Sequence, residues 1–306
     1  MRVMVTGASG FVGRALCRAL LSQEMALTRV SRETGTLGNV AVGEIDSATD
    51  WTLALQQCSV VVHLAARVHV MNDSAPDQLA AYRRTNVDGT MRLARQAAAA
   101  GVRRFIFISS VKVNGESTLK GQPFKADDMP APQDPYGVSK LEAEQGLRQL
   151  ALQTGMQVVI IRPPLVYGPG VGANFAALLR AVRRGVPLPL GAIHNQRSLV
   201  ALDNLIDLII TCVAHPAAAN QTLLVSDGQD ISTADLVRGM AQAAGIPVRL
   251  PSVPLWALRA AATLLGKRDV VSRLCSNLQV DISNTRRLLA WAPPISVQEG
   301  LLRAVG

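Results

Sequence analysis

The sequence predicts an α/β protein with a doubly wound parallel sheet and a smaller C-terminal lobe. Its first half alternates short, β-branched apolar runs with longer helical patterns, which is the order of a parallel sheet with helices on both faces. The runs are almost continuously apolar, as expected for strands covered on both sides. With 306 residues and 49% hydrophobic residues, the chain can bury a large core.

The apolar periodicity predicts the elements of this fold. Strands are expected at residues 3–6, 27–31, 40–44, 60–65, 105–109 and 158–162, and helices at 10–22, 51–57, 76–100 and 135–154. After Arg162 glycine and proline become frequent and the segments shorten. We therefore expect residues 1–166 to form the sheet domain. Residues 195–224 should return to it as a strand and a helix, and residues 167–194 and 225–306 should form the smaller lobe.

Charge and cysteine content exclude several classes of protein. The net charge is +9, but the basic residues are scattered and aromatics make up only 4%, so we expect no nucleic-acid partner and an anionic small substrate instead. Four well-separated cysteines, in apolar surroundings, predict reduced thiols in a cytoplasmic protein. The N-terminal residues read as a strand entering a glycine turn, so no signal peptide is expected. The apolar stretch 205–219 is too interrupted for a membrane span, and the four histidines lack metal-ligand spacing.

A glycine-rich turn follows the first predicted strand. Gly7, Gly10 and Gly13 lie in GASGFVG and open the first predicted helix. Gly7 permits a tight turn, Gly10 lets the backbone approach a pyrophosphate, and Gly13 lets the helix pack closely on the strand. Such a helix N-terminus favours an anion. The pattern predicts a Rossmann-type dinucleotide-binding domain, in which Ser9, Phe11 and Val12 also line the cofactor.

The end of the second strand bears on cofactor choice. A site that prefers NAD usually carries an acid there, whereas this chain has Ser31 and Arg32. A hydroxyl and a guanidinium suit a 2′-phosphate better than a bare diol. We therefore expect NADP, with NAD as the alternative.

A tyrosine and a lysine lie four residues apart in DPYGVSK. Asp134 can cap the predicted helix, and Tyr136 and Lys140 share one of its faces. A lysine cation beside a phenol stabilises the phenolate, so we expect the pKa of Tyr136 to be lowered from about 10. Behind a glycine turn, this pair predicts acid–base chemistry in a dinucleotide-dependent enzyme.

Together these motifs resemble the extended short-chain dehydrogenases/reductases, in the NAD-dependent epimerase/dehydratase group that modifies nucleotide sugars. The resemblance covers nearly the whole chain. It rests on GASGFVG at 7–13, VVHLAA at 61–66, TNVDGT at 85–90, FISSVKVNG at 107–115, DPYGVSK at 134–140, RPPLVYGPG at 162–170 and LAWAPP at 289–294.

The resemblance assigns functional residues. It implies that Ser110 holds the reacting oxygen, that Tyr136 is the general acid/base, and that Lys140 holds the nicotinamide ribose. Further cofactor contacts are implied for Glu44, Ile45, Leu64, Ala65, Ala66, Asn86, Ser109, Pro163 and Pro164. Substrate contacts are implied for Ser110, Val111, Asn174, Phe175, Arg197 and Arg273, with Arg197 meeting the diphosphate. Helices 76–100 and 135–154 would form a four-helix bundle in a homodimer.

The chain departs from the family pattern at two places. Pro164-Leu165 replaces a pair whose Asn often contacts the sugar nucleotide, and Asn114 replaces the tyrosine of VYG. A dehydratase would carry an acid pair where this chain has Val111-Lys112.

Three functions remain open from the sequence. The first is an NADPH-dependent reductase of a UDP-4-keto-6-deoxy-hexose or hexosamine, serving surface polysaccharide synthesis. The second is a UDP-hexose 4-epimerase with tightly bound NAD. The third is a non-catalytic dinucleotide-binding regulator, which the complete set Ser110, Tyr136 and Lys140 disfavours.

Overall fold

A parallel sheet organises most of the chain. The computed structural model describes residues 1–33, 39–68, 77–264, 266 and 268–306, except the side chains of residues 39, 173, 174, 269 and 270. Within these ranges seven parallel strands lie in the order β3-β2-β1-β4-β5-β6-β9. They are β1 Arg2–Thr6, β2 Ala26–Ser31, β3 Asn39–Ala41, β4 Val60–His63, β5 Arg104–Ile108, β6 Gln157–Arg162 and β9 Thr222–Leu224. The doubly wound Rossmann-type fold is therefore confirmed.

Helices cover both faces of this sheet. The described helices are α1 Phe11–Ser22, α2 Gln78–Arg83, α3 Thr90–Ala99, α4 Pro135–Thr154, α5 Ala173–Arg183, α6 Leu202–Ala214, α7 Thr233–Ala243, α8 Leu255–Leu264, α9 Arg268–Cys275, α10 Ser283–Leu289 and α11 Val297–Val305. Apolar residues of α1 and α6 share one buried cluster with one sheet face, and those of α3 and α4 share another with the opposite face. Because both faces are covered, the middle positions of the central strands are apolar, as in Val3–Val5 of β1, Val60–Val62 of β4 and Phe105–Ile108 of β5.

The expected long helix at 76–100 contains a wider turn. α2 and α3 are joined without a break by a π-helical segment, Arg84–Gly89. Residue 76, its expected start, lies outside the described residues. A π-helical turn shifts the side chains that follow it around the helix, and such turns are frequent at functional sites.

Two expectations in the first half were wrong in detail. Residues 52–57 form turns rather than a helix, because Asp50 Oδ1 accepts from the Thr52 amide at 3.0 Å and Gln57 has a left-handed φ of 60°. These interactions compete with helical hydrogen bonding. The expected strand 40–44 is the shorter β3. The Val42 and Gly43 amides still donate to the Ser31 and Arg32 carbonyls at 3.1 Å, and Gly43, with a left-handed φ of 69°, then turns the chain.

The segment after Arg162 contributes to two sheets, a separate two-stranded one and the large parallel one. Strand β7, Leu165–Tyr167, pairs in parallel with β8, Leu199–Ala201, in a separate two-stranded sheet. Helix α6 packs on α1, and β9 joins β6 at the edge of the large sheet. The return expected at 195–224 is thus seen for α6 and β9, whereas β8 pairs outside the large sheet. The division into two domains at residue 166 stays a prediction.

Candidate active site

The glycine turn forms a close-packed cradle at the end of β1. Gly7 has a left-handed φ of 65°, and a Cβ at Gly13 would lie 2.0 Å from the Gly7 carbonyl oxygen. Gly10 caps α1 without any side-chain hydrogen bond. Only glycine fits the first two of these positions, and the first turn of α1 is left open to an anion. This arrangement fits the pyrophosphate of a dinucleotide.

The loop after β4 is held against this turn. Thr6 Oγ1 accepts from the Ala65 amide at 3.2 Å and also bonds the buried His63 ring at 2.7 Å. The Asn86 amide bonds both backbone groups of Arg67, at 2.8 and 3.0 Å, and donates to Ser139 Oγ at 3.0 Å. The contacts found for Asn86 are therefore to the protein, and its contact with a cofactor stays a prediction. Leu64, Ala65 and Ala66 are partly exposed at this edge.

The adenosine side of the expected site is formed by the end of β2 and the chain after β3. Ser31 Oγ donates to the Glu33 carbonyl at 2.9 Å, and the exposed Arg32 lies 3.9 Å from the exposed Glu44. Ile45 is buried against Gly89, where a Cβ would come within 2.6 Å of Ile45 Cγ2. Among the described residues, Arg32 makes a long surface ion pair with Glu44, and such a pair can give way to a phosphate at small cost.

Ser110, Tyr136 and Lys140 converge next to this turn, as expected. Ser110 lies two residues after Ile108, the last residue of β5. Tyr136 is in the first turn of α4, whose N-cap Asp134 accepts from the Gly137 amide at 2.6 Å. The Ser110 side chain is near enough to Tyr136 to lower the pKa of its hydroxyl. Because β1, β4 and β5 are neighbours in one parallel sheet, their carboxyl ends bring the glycine turn and Ser110 to the same edge.

Burial dominates the electrostatics of the pair on α4. Burial raises the pKa of Tyr136, and the negative charge of Asp134 raises it further, whereas the Ser110 side chain lowers it. The expected lowering of the pKa of Tyr136 is thus not the net result here. The physical reason is the desolvation of the phenol, followed by the charge of Asp134. Lys140 Nζ donates to the Ile108 carbonyl at 2.8 Å and lies 4.4 Å from the Phe107 ring centre and 5.9 Å from that of Tyr136.

Lys140 itself is almost fully buried, with 2% of its surface exposed. Burial lowers its pKa to about 7, while the charge of Glu144 raises it. Its charge is therefore sensitive to pH in the physiological range.

A buried network that the sequence analysis missed joins three elements of the site. Glu144 accepts from Ser109 Oγ at 2.6 Å and from Arg162 at 2.6 and 2.9 Å, and Arg162 Nη1 donates to Asn114 Oδ1 at 3.0 Å. The network ties β5, α4 and β6 together beneath the catalytic residues. Glu144 follows Lys140 by four residues on the same helix, and this spacing could have indicated that Glu144 lies on the face of α4 that carries the catalytic residues. The Ser109 hydroxyl is used in this network.

Tyr82 is a second residue that sequence reasoning missed. Its buried ring packs edge-to-face on Tyr136 with 5.9 Å between centroids, and the Arg67 guanidinium lies 5.6 Å above it. These contacts cover one side of the Tyr136 ring. A tyrosine shortly before TNVDGT was the only sequence signal.

The expected substrate residues fall into two groups. Arg197 Nη1 donates to the carbonyls of Arg273 and Ser276 at 2.7 and 3.1 Å, so the guanidinium is anchored at the C-terminus of α9. The Arg273 side chain is exposed. Phe175 is instead a core residue, 2% exposed and stacked on Tyr167 at 5.6 Å, because the apolar face of α5 packs inward. The Asn174 side chain lies outside the described residues.

Val111, Pro163 and Pro164 are also buried. Val111 belongs to the core cluster below the sheet, and its amide donates to the Pro163 carbonyl at 3.0 Å. Because they are buried, these side chains offer little surface to a substrate or cofactor. The Val111–Pro163 hydrogen bond instead holds the backbone beside Ser110. Next to them Lys112 pairs with Glu116 at 3.0 Å and with Asp134.

The sheet order, the glycine turn and the Ser110–Tyr136–Lys140 set define a dinucleotide-dependent oxidoreductase of the short-chain dehydrogenase/reductase class. The NAD dependent epimerase/dehydratase family matches residues 3–225 of the chain. A Vibrio cholerae protein described as UDP-glucose 4-epimerase is 51% identical over 305 residues, covering 97% of this chain and 92% of its own. This chain therefore belongs to the NAD-dependent epimerase/dehydratase family and is an NAD(P)-dependent enzyme.

Solved structures agree with this fold. The UDP-glucuronic acid 4-epimerase of Bacillus cereus, in complex with NAD, superposes with a TM-score of 0.80 at 23% identity, over 100% of this chain and 97% of that one. RMD of Pseudomonas aeruginosa, in complex with NADPH, superposes with a TM-score of 0.77 at 22% identity, over 100% and 98%. No helix in the described ranges is long and apolar enough to cross a membrane.

Proposed function

We propose that this enzyme catalyses hydride transfer at carbon 4 of a UDP-sugar. The observation that carries the proposal is the placement of Ser110, in the chain that leaves β5, and of Tyr136 and Lys140, on α4, at the edge of the sheet that also carries the glycine turn. The UDP-sugar is suggested by the 51% identical relative, which is described as a UDP-glucose 4-epimerase.

The residues of the site divide the work. The bound nicotinamide supplies or accepts the hydride. The Tyr136 hydroxyl exchanges a proton with the oxygen on carbon 4, and Ser110 donates a hydrogen bond that holds this oxygen. The cation of Lys140 favours the tyrosinate that forms when the proton leaves. The glycine turn holds the pyrophosphate, and Arg197 meets the sugar diphosphate.

The first candidate reaction is 4-epimerisation of a UDP-hexose. Here Tyr136 removes the hydroxyl proton, the 4-keto sugar turns over in the site, and the hydride returns to its other face. The identity to the Vibrio cholerae protein supports this reaction. No net oxidation occurs, so the dinucleotide need not leave.

The second candidate is reduction of a UDP-4-keto-6-deoxy-hexose or hexosamine with NADPH, in surface polysaccharide synthesis. It is favoured by the end of β2, where Ser31 and the exposed Arg32 replace an acid. An exchangeable NADPH suits a reductase, whereas a recycled dinucleotide suits an epimerase.

One experiment separates these reactions. The purified enzyme is given UDP-glucose or UDP-N-acetylglucosamine without added cofactor, and separately a UDP-4-keto-6-deoxy-hexose with NADPH. Interconversion of the 4-epimers with unchanged absorbance at 340 nm, about the nicotinamide maximum, identifies an epimerase. Consumption of NADPH equal to the keto sugar reduced identifies a reductase. If the wild-type enzyme neither interconverts the 4-epimers nor reduces the keto sugar, the proposal is contradicted.

We also propose a cytoplasmic homodimer formed through α2, α3 and α4. These helices pack side by side on one face of the sheet, where family resemblance puts the bundle. Light scattering during gel filtration tests the dimer: a monomeric mass contradicts it.

A further inference from the structure

Helix α8 carries an apolar face that points to solvent. Trp256 is 74% exposed and Leu264 is 87% exposed, and both lie on one side of the helix with the exposed Ala260 between them. Their spacing of four residues places the three on one stripe. The opposite side packs inward through Leu258 and the buried Ala262. We call the stripe Trp256, Ala260 and Leu264 the α8 face.

The exposure of Trp256 differs from that of the other tryptophans. The chain has three, of which Trp51 is 0% and Trp291 is 6% exposed. Most of the large apolar surface of Trp256 is therefore left outside the core. A large amphipathic ring held at the surface beside a leucine is typical of a contact surface.

Basic residues surround the α8 face. Arg259 is exposed on the same helix, Arg249 precedes it, and Arg268 donates from Nε to Thr263 Oγ1 at 2.7 Å, which places its guanidinium beside the last turn of α8. The surface around the apolar stripe is thus complementary to an anionic partner.

We propose that the α8 face docks on the surface of a bilayer containing anionic lipids. Tryptophan and leucine insert at the level of the headgroups, and nearby arginines bind lipid phosphates. A symmetric contact with a second copy would instead bring Arg259 of both chains together, which is unfavourable. The docking is peripheral, since α8 has only 10 residues. This proposal does not depend on the proposed function.

The test uses the tryptophan of the face as its own probe. Wild-type protein is mixed with phosphatidylcholine vesicles, with or without phosphatidylglycerol, and tryptophan emission and co-sedimentation are recorded. Because Trp51 and Trp291 are already buried, a blue shift on adding phosphatidylglycerol vesicles reports on Trp256. We expect this shift, binding to the same vesicles, and loss of both at high salt.

Variants locate the contact. Leu264→Ala should weaken vesicle binding by about tenfold, and Arg259→Ala by about fivefold, the contribution of one basic residue near an anionic surface. Arg18→Ala, an exposed arginine on α1, is the matched control and should bind almost as wild type. Thermal unfolding checks that the variants remain folded.

Four outcomes would overturn the proposal. They are no blue shift with anionic vesicles, equal binding to pure phosphatidylcholine, equal loss in Arg18→Ala, and a concentration-dependent dimer abolished by Trp256→Ala, which would assign the face to self-association. The wild-type emission experiment decides the question even if a variant fails to fold.

Discussion

Lys140 donates a hydrogen bond from Nζ to the main-chain carbonyl of Ile108 at 2.8 Å. This contact links α4 to the end of β5, two residues before Ser110. It also accounts for how a buried ammonium, with its pKa lowered to about 7, is accommodated next to the Phe107 ring. The first prediction follows from this burial.

Lys140 should make stability depend on pH in the cofactor-free protein. The pKa of this lysine is 10.5 when the side chain is fully solvated and about 7 in the fold, so between these values the unfolded chain binds one more proton. The free energy of unfolding should therefore rise with pH across this window, by about 1.4 kcal/mol per pH unit from this residue. Below about pH 7 the full penalty of burying the charge remains.

Urea unfolding at several pH values measures this slope. In Lys140→Met the contribution is absent, so the difference between wild type and variant isolates it from the cysteines and other groups. The difference in free energy of unfolding between wild type and variant should change between about pH 7 and pH 10, where Lys140 is protonated mainly in the unfolded chain. A difference that stays constant over this range would contradict the burial of Lys140.

Tyr136→Phe should keep the fold and cofactor binding and lose about a hundredfold or more in turnover, the usual contribution of a general acid–base group. The matched control is Tyr82→Phe, because it keeps the ring that packs on Tyr136 and removes a hydroxyl whose contact, within the described part of the chain, is with the Val68 carbonyl at 3.5 Å. Steady-state rates and cofactor titration are compared. Near-normal turnover in Tyr136→Phe would exclude it as the acid–base residue.

Glu144→Gln should destabilise the fold by about 3–5 kcal/mol, because it leaves the buried Arg162 without its carboxylate partner. Glu142→Gln, two residues earlier on α4, breaks the more exposed pair with Arg83 and should cost only about 0–1 kcal/mol. Both values come from urea unfolding at neutral pH. Equal costs would show that the Glu144 network adds no more than a surface ion pair.

Arg32→Ala should weaken NADP(H) binding by about 1–3 kcal/mol and barely change NAD(H) binding, since only NADP(H) carries a 2′-phosphate on the adenosine ribose for the guanidinium to pair with. Calorimetric titration with both dinucleotides measures the two affinities. Arg18→Ala serves as the control for net charge. Equal losses for both dinucleotides, or a wild-type preference for NAD(H), would contradict an NADP(H) site.

Arg197→Ala should raise the Michaelis constant for a UDP-sugar far more than it changes cofactor affinity. Removing one partner of a buried charged pair should cost about 2–4 kcal/mol in kcat/KM. Arg197→Lys keeps the charge but not the anchoring by the Arg273 and Ser276 carbonyls, so an intermediate loss is expected. If wild type turns over a free keto sugar as well as its UDP form, the enzyme is a general carbonyl reductase instead.

Residues whose roles depend on neighbours in the chain were predicted well. Gly7 and Gly13 make a turn that other residues cannot enter, and Tyr136 and Lys140 share a helical face because they are four residues apart. Such relationships are set by backbone geometry within a few residues. The same reasoning failed for residues 51–57, where the Asp50 side chain competes with the helix.

Roles that depend on distant segments were not predictable in this way. Phe175 matched a substrate position, yet it stacks on Tyr167 in the core. Glu144 had no assigned role, yet it joins Ser109, just after β5, to Arg162, the last residue of β6. Which partner such a side chain meets depends on how the elements pack.

The sequence by itself determined the parallel sheet, the glycine turn and the presence of Ser110, Tyr136 and Lys140, because strand periodicity, turn geometry and helical spacing are local properties of the chain. Only the tertiary structure decided where Lys140 directs its charge, that burial raises the pKa of Tyr136, and that Trp256 lies at the surface while Trp51 does not. The physical reason is that desolvation and hydrogen bonding at these residues arise from atoms far away in sequence, which come together only when the sheet and its helices pack.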